Sequence, residues 1–166
     1  MKLIDVEHIN YYEDELVSFL KKIDTETSYQ IHTLIYYPYI LFEYSLRHEK
    51  KSWKNFFRPI GTTAGCTIDA INQLGALIDR SPLLKKQMIS NQRILNHTLD
   101  VNEGRSIAKN FVQEAIASRL KIFSMPQLKL IHEKIFYRPY WVVNGFKSSH
   151  SFSLTIDAVS GRYHPL

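Results

Sequence analysis

The sequence predicts an α+β fold made of two repeated helix–strand–strand–strand halves, each a helix packed on an antiparallel sheet, related by a pseudo-twofold. Three observations carry that expectation. A strand-like aromatic run, Leu34 to Phe42 (LIYYPYILF), returns as Ile135 to Val143 (IFYRPYWVV). Each run has an Ile-His pair before it, Ile31-His32 and Ile131-His132. Each is followed by a second shared string, Thr67-Ile68-Asp69-Ala70-Ile71 and Thr155-Ile156-Asp157-Ala158-Val159. Two matches in the same order, each behind a helical stretch, are what an internal duplication leaves. The halves divide as residues 1–80 and 81–166, the second opening on a linker helix.

The elements follow in order. Val6, Ile9, Leu16, Phe19, Leu20 and Ile23 recur at three- and four-residue steps, so the spacing predicts a helix from Asp5 to about Glu26. Tyr29 to Tyr44 is rich in β-branched and aromatic residues and reads as a long strand. Pro38 has no N–H to give a ladder, which implies an edge or a bulge there. Thr62 to Ile71 reads as a strand, and Gly75 turns the chain into a short one at Ala76 to Ile78. Ser81-Pro82 has the chemistry of a helix start, with Leu83 to Asn96 as the helix. Asn102 is placed to cap a second long helix running to about Ile122, with Ile107, Phe111, Ala115, Ile116 and Leu120 as its apolar stripe. Leu128 to Val143 is the second long strand, Asn144-Gly145 a hairpin signal, Phe152 to Ala158 a strand, and Arg162-Tyr163 a short closing strand after Ser160-Gly161.

Tyr140-Trp141-Val142-Val143 and Ile156-Asp157-Ala158-Val159-Ser160-Gly161 resemble a PepSY-type domain, a helix followed by antiparallel strands with a closing Val-Asp-Ala-x-x-Gly turn. The first half fits through Tyr39-Ile40-Leu41-Phe42, but Gly75 falls two residues late after Ile68-Asp69-Ala70. The related cystatin-like helix-on-sheet shape is the other resemblance. Both imply a non-catalytic module, often regulatory or inhibitory.

Composition narrows the function. Across 166 residues, 45% are hydrophobic and 22% charged, which is a globular balance. A net charge of +5 and a pI near 9.2 permit contact with nucleic acid or anionic lipid without requiring it. The single Cys66 excludes an internal disulfide framework and a Cys-based zinc site. Met1 to Asn10 holds no apolar run, and no stretch approaches ~20 apolar residues, so a cytoplasmic protein without a membrane-spanning helix is expected.

Candidate sites are few. Asp69 and Asp157 hold matching places and have the chemistry of a shared-proton dyad. The plainer reading is that each carboxylate binds the backbone of the turn after it. The seven His form no His-x-x-x-His pair, so no metal site is expected. Cys66 reads as a buried strand residue, since catalysis needs a partnered, low-pKa thiol. Glycine-rich phosphate loops are missing, and no cofactor is expected.

Between matching landmarks the first half carries 13 more residues than the second: Pro38 to Thr67 spans 29 positions, Pro139 to Thr155 spans 16. The surplus falls in a basic-aromatic segment with Arg47, Lys50, Lys51, Trp53, Lys54 and Arg58. Its lysines and arginines suit phosphates and its rings suit bases; the plainer reading is a lengthened hairpin. Tyr37, Tyr39, Tyr137, Tyr140 and Trp141 are the other binding candidates, as rings lining a concave sheet, against the plainer reading of core. No trio of nucleophile, base and orienter is visible, so no catalytic residue is expected. The leading reading is a binding or regulatory module acting on another protein. A nucleic-acid-binding accessory protein is the rival, an enzyme with a dispersed site stands third, and a homodimer is compatible with all three.

Overall fold

The computed structural model describes residues 1–47, 63–120 and 126–166. These form an α+β protein with two α-helices and strands in mixed parallel and antiparallel pairing. In chain order they are β1 (Lys2–Glu7), α1 (Glu13–Ile23), β2 (Ser28–Arg47), β3 (Thr63–Asp69), β4 (Gly75–Ile78) and β5 (Leu84–Ile89). A 3-10 turn (Asn91–Arg93), α2 (Val101–Leu120), β6 (Gln127–Lys147), β7 (His150–Asp157) and β8 (Tyr163–Pro165) follow.

Two compact units emerge, and neither is a continuous stretch. The first takes residues 1–38, 82–96 and 136–166; the second takes 39–81 and 97–135. Each unit therefore draws on both sides of the 80/81 division, and β2 and β6 each contribute to both.

In the first unit β1 pairs antiparallel with β5, from Lys2↔Ile89 to Glu7↔Leu84. This corrects two expectations. Residues 2–7 are a strand, and the expected helix begins only at Glu13. Ile4 and Val6 are buried while Leu3 is exposed, an alternation at period two that the weaker spacing of Val6 and Ile9 masked. Leu83 to Asn96 is not a helix: Leu84 to Ile89 joins β1, because a long-range ladder outweighs a local start signal. Single parallel bridges join Val6 to Tyr137 and Tyr36 to Ile94.

Helix α1 opens on Glu13, Asp14 and Glu15 and ends on Lys21 and Lys22, charges that suit the two ends of its dipole. It buries Leu16 and Leu20. Asp24 closes it, accepting from the Glu26 N–H and the Thr27 hydroxyl at 2.9 Å each. Strands β6 and β7 pair from Tyr140↔Asp157 to Lys147↔His150, so the hairpin turns at Ser148-Ser149, with Ser148 at φ 53°. The expected turn at Asn144-Gly145 lies inside β6 instead. Gly145 faces Phe152 across the ladder, and a Cβ there would run into the Phe152 ring. The glycine makes room for an aromatic rather than for a bend.

In the second unit β2 pairs with β3 from Tyr39↔Asp69 to Ser45↔Thr63, and β3 pairs with β4. That ladder starts one residue beyond Pro38, so the missing N–H costs it nothing. Ile40, Phe42, Tyr44, Cys66, Ile68 and Ala70 form its core with Leu99, Ala108, Val112 and Ile116. Full burial of a side chain the size of Phe42 or Ile68 stabilises by about 1.5–3 kcal/mol. The buried line of α2 runs Gly104, Ala108, Val112, Ile116, with Ile107 and Phe111 flanking it. The cap is Asp100 rather than Asn102: its Oδ1 accepts the Asn102 N–H at 2.8 Å, and this bond holds its pKa down.

The two Asp turns carry the same bonds. Asp69 Oδ1 accepts the N–H groups of Ile71 and Asn72, and Asp157 Oδ1 accepts that of Val159. Gln73 N–H donates to the Asp69 carbonyl and Gly161 N–H to that of Asp157, 2.8–2.9 Å long. Ala70 O receives Thr98 and Leu99; Ala158 O receives Asn10 and Tyr11. Gln73 has φ 62° and Gly161 φ 74°, so the left-handed residue of the first turn is Gln73, and Gly75 is not its counterpart.

Candidate interaction surface

The sequence-predicted site residues that are described fall in both compact units. Arg47 is the exposed last residue of β2; Lys50, Lys51, Trp53, Lys54 and Arg58 lie outside the described residues. In the first unit the Tyr37 and Tyr140 rings meet edge to face, centroids 6.0 Å apart. Tyr137 and Trp141 are buried, and Trp141 Nε1 donates to the Tyr11 carbonyl at 2.9 Å. In the second unit Tyr39 is half-buried and stands opposite Asp69.

Both candidate carboxylates are tied up locally. Besides its turn, Asp157 takes Arg138, whose Nη2 reaches Oδ2 at 2.8 Å and whose Nε reaches both oxygens at 3.1 Å. Burial pushes its pKa up, but Arg138, Ser160 and the Val159 N–H together hold it below the usual range. On the other side, Arg138 Nη1 stands 3.3 Å from Glu7 Oε2. That contact lacks hydrogen-bond geometry, and the oxygen is buried with no hydrogen-bond partner. Burial therefore outweighs the attraction of Arg138, and the Glu7 pKa rises.

In the second unit Glu43 holds two side chains at once. Ser81 donates to Oε1, and His132 Nδ1 lies 2.8 Å from Oε2. The Ser81 bond and the His132 bond lower the Glu43 pKa against the pull of burial. Serine and histidine meet opposite oxygens of one carboxylate, so the trio locks Glu43 in place. Arg105 on α2 forks onto Glu133 of β6 and also donates to Asn102 Oδ1 at 2.8 Å. The Cys66 thiol is buried and its pKa is pushed up to about 12; a thiolate does not form there at neutral pH. Among the described residues, no three His, Cys, Asp or Glu side chains are grouped to hold a metal ion, and no helix is long and apolar enough to cross a membrane.

What sequence reasoning missed is the β1–β5 ribbon. Leu3 and Met88 are cross-strand partners and are 56% and 53% exposed; Leu83, just before β5, is 78% exposed. Lys85 and Lys86 follow on the same strand, both exposed. Among the described residues no strand pairs with the other side of β5. The signal lay in the short alternation Leu3-Ile4-Asp5-Val6.

No family model, curated protein or solved structure matches the chain. The reading of this surface rests on its own chemistry.

Proposed function

We propose that the protein is a non-enzymatic binding or regulatory module that acts through contact with another protein. The observation that carries this reading is the apolar pair Leu3 and Met88, set side by side in the open on a ribbon whose outer strand has an edge unpaired among the described residues. Solvent gains nothing from two large apolar side chains held together, whereas a partner buries them at about 25 cal/mol per Å².

The same proposal takes the chain as two diverged copies of one PepSY-like or cystatin-like plan, with the approximate twofold such copies would share. It is supported by the matched bonds at Asp69 and Asp157, by the left-handed residues Gln73 and Gly161, and by the order strand, helix, long strand, strand, short strand in each half.

Affinity capture with the full chain at low and high salt tests the function. A stoichiometric protein partner retained at high salt, and lost from Leu3→Glu/Met88→Glu, is the expected result. Capture of nucleic acid alone, eluted by modest salt, overturns it in favour of a polyanion-binding role, because contacts to phosphate release counterions and weaken steeply with salt.

A further inference from the structure

We propose that the open edge of β5 receives an extended acidic segment of a partner protein as an added strand. This rests on the protein-contact reading above and says where and what the contact is. An edge strand presents a row of unpaired N–H and C=O groups, and an incoming strand satisfies them while its side chains choose the partner.

Three strands end the pairing order among the described residues, and they are not equivalent. β4 has four residues; β8 has three, one of them Pro165. β5 has six, Leu-Lys-Lys-Gln-Met-Ile, with neither Pro nor Gly to interrupt a ladder. It is paired with β1 over its whole length, so it is held straight before any partner arrives.

Its side chains select the occupant. Lys85 and Lys86 are successive, so their ammonium groups stand on opposite faces. Lys86 has Asp5 across the ladder; Lys85 has Val6 and no carboxylate opposite it. An added strand meets positive charge on each of its faces and, two residues along from Lys86, the exposed Met88 backed by Leu3. Carboxylates at neighbouring positions followed by an apolar side chain fit that pattern. A second copy of this chain does not. Antiparallel self-pairing about the middle of β5 sets Lys86 opposite Gln87 and Lys85 opposite Met88 of the other copy; it supplies no carboxylate, and it leaves Lys85 of each copy diagonal to Lys86 of the other on one face, within reach of like-charge repulsion. Lysines on an edge also deter pairing in general; here they deter it selectively, because an acidic strand converts the obstacle into a contact.

The test uses the full chain and a short labelled peptide in which adjacent Glu pairs alternate with Ile, against the same peptide with Lys in place of Glu. Fluorescence anisotropy is expected to show the acidic peptide binding at least tenfold more tightly. Lys85→Glu/Lys86→Glu, with an unchanged circular dichroism spectrum, is expected to reverse that preference. Amide hydrogen exchange is expected to slow at alternate residues of β5 when the acidic peptide is present. Binding that ignores charge reversal, or protection that appears elsewhere than β5, overturns the proposal. If the acidic peptide fails while a protein partner is still captured at high salt, the β5 assignment falls and the protein-contact reading stands. If both fail, both fall.

Discussion

Tyr44 and Glu7 each bury a polar atom that no hydrogen bond satisfies among the described residues, and each makes a prediction. Burial raises the Tyr44 hydroxyl to about 12. Tyr44→Phe removes an unsatisfied group without opening a cavity, so it should stabilise the protein by about 1 kcal/mol in urea unfolding; a loss of stability would show that the hydroxyl has a partner. Glu7 has its folded pKa raised above 4.5 by burial. Ionised Glu7 therefore opposes folding above the unfolded pKa, with the penalty complete once pH passes the folded value, and gone below about 4.5 where both states are protonated. Glu7→Gln should melt higher than the parent at neutral pH, with the gap closing as pH falls towards 4.5. A constant gap would place the effect in packing rather than charge. The lowered Asp157 works in the opposite sense, adding stability above its unfolded pKa that is lost as pH falls through the folded one. None of these pairings was legible in the sequence, because Glu7, Arg138 and Asp157 are brought together only by the β1–β6 and β6–β7 pairings. The turn role of Asp69 and Asp157 was legible, since it depends on the next few residues alone.

Elements with a local signal were readable and those without one were not. β2, β3, β4, β7 and α2 announce themselves through composition and period over many residues or through a local turn. β1 and β5 are six residues each and exist because they find each other 77 to 87 positions apart, a pairing no local window contains. The proposed surface went unread for the same reason. Asn144-Gly145 shows a converse failure, a strong local turn signal that a ring across the ladder explains instead. Helix α2 offers an element-scale test. A Cβ on Gly104 would stand 3.2 Å from Ile40 and 3.3 Å from Phe42, so the helix lies on β2 at glycine distance. Gly104→Ala gains helix propensity of about 1 kcal/mol and loses some of it to crowding, so it should be near neutral. Gly104→Leu should cost about 1–3 kcal/mol through overpacking. A thermal melt of the Leu variant no lower than the parent's would place the helix farther from the strand.

For the whole molecule, the repeated strings pointed to two halves, 1–80 and 81–166, while the compact units each draw on both sides of that division. α1 is fastened to the β7–β8 turn by Asn10 and Tyr11 bonding to Ala158 O, and the start of α2 to the β3–β4 turn by Thr98 and Leu99 bonding to Ala70 O. Residues 81–166 alone thus carry a helix without the turn that anchors it and a hairpin without its helix. That fragment should show no sharp melt by circular dichroism, and mixing it with residues 1–80 should restore one. A cooperative melt of the monomeric fragment by itself would refute this.

The interleaving also sets the order of events during synthesis. The second unit is complete only when Ile135 is out, and the first only at Leu166. At 5–20 residues per second, the part of β2 that belongs to the second unit waits roughly 4–18 s on the ribosome for the residues that complete that unit. Through that interval β3 can already pair with Tyr39 to Ser45, but Ile40 and Phe42 still wait for Val112 and Ile116 of α2 to cover them, which leaves that face of the nascent strand sticky.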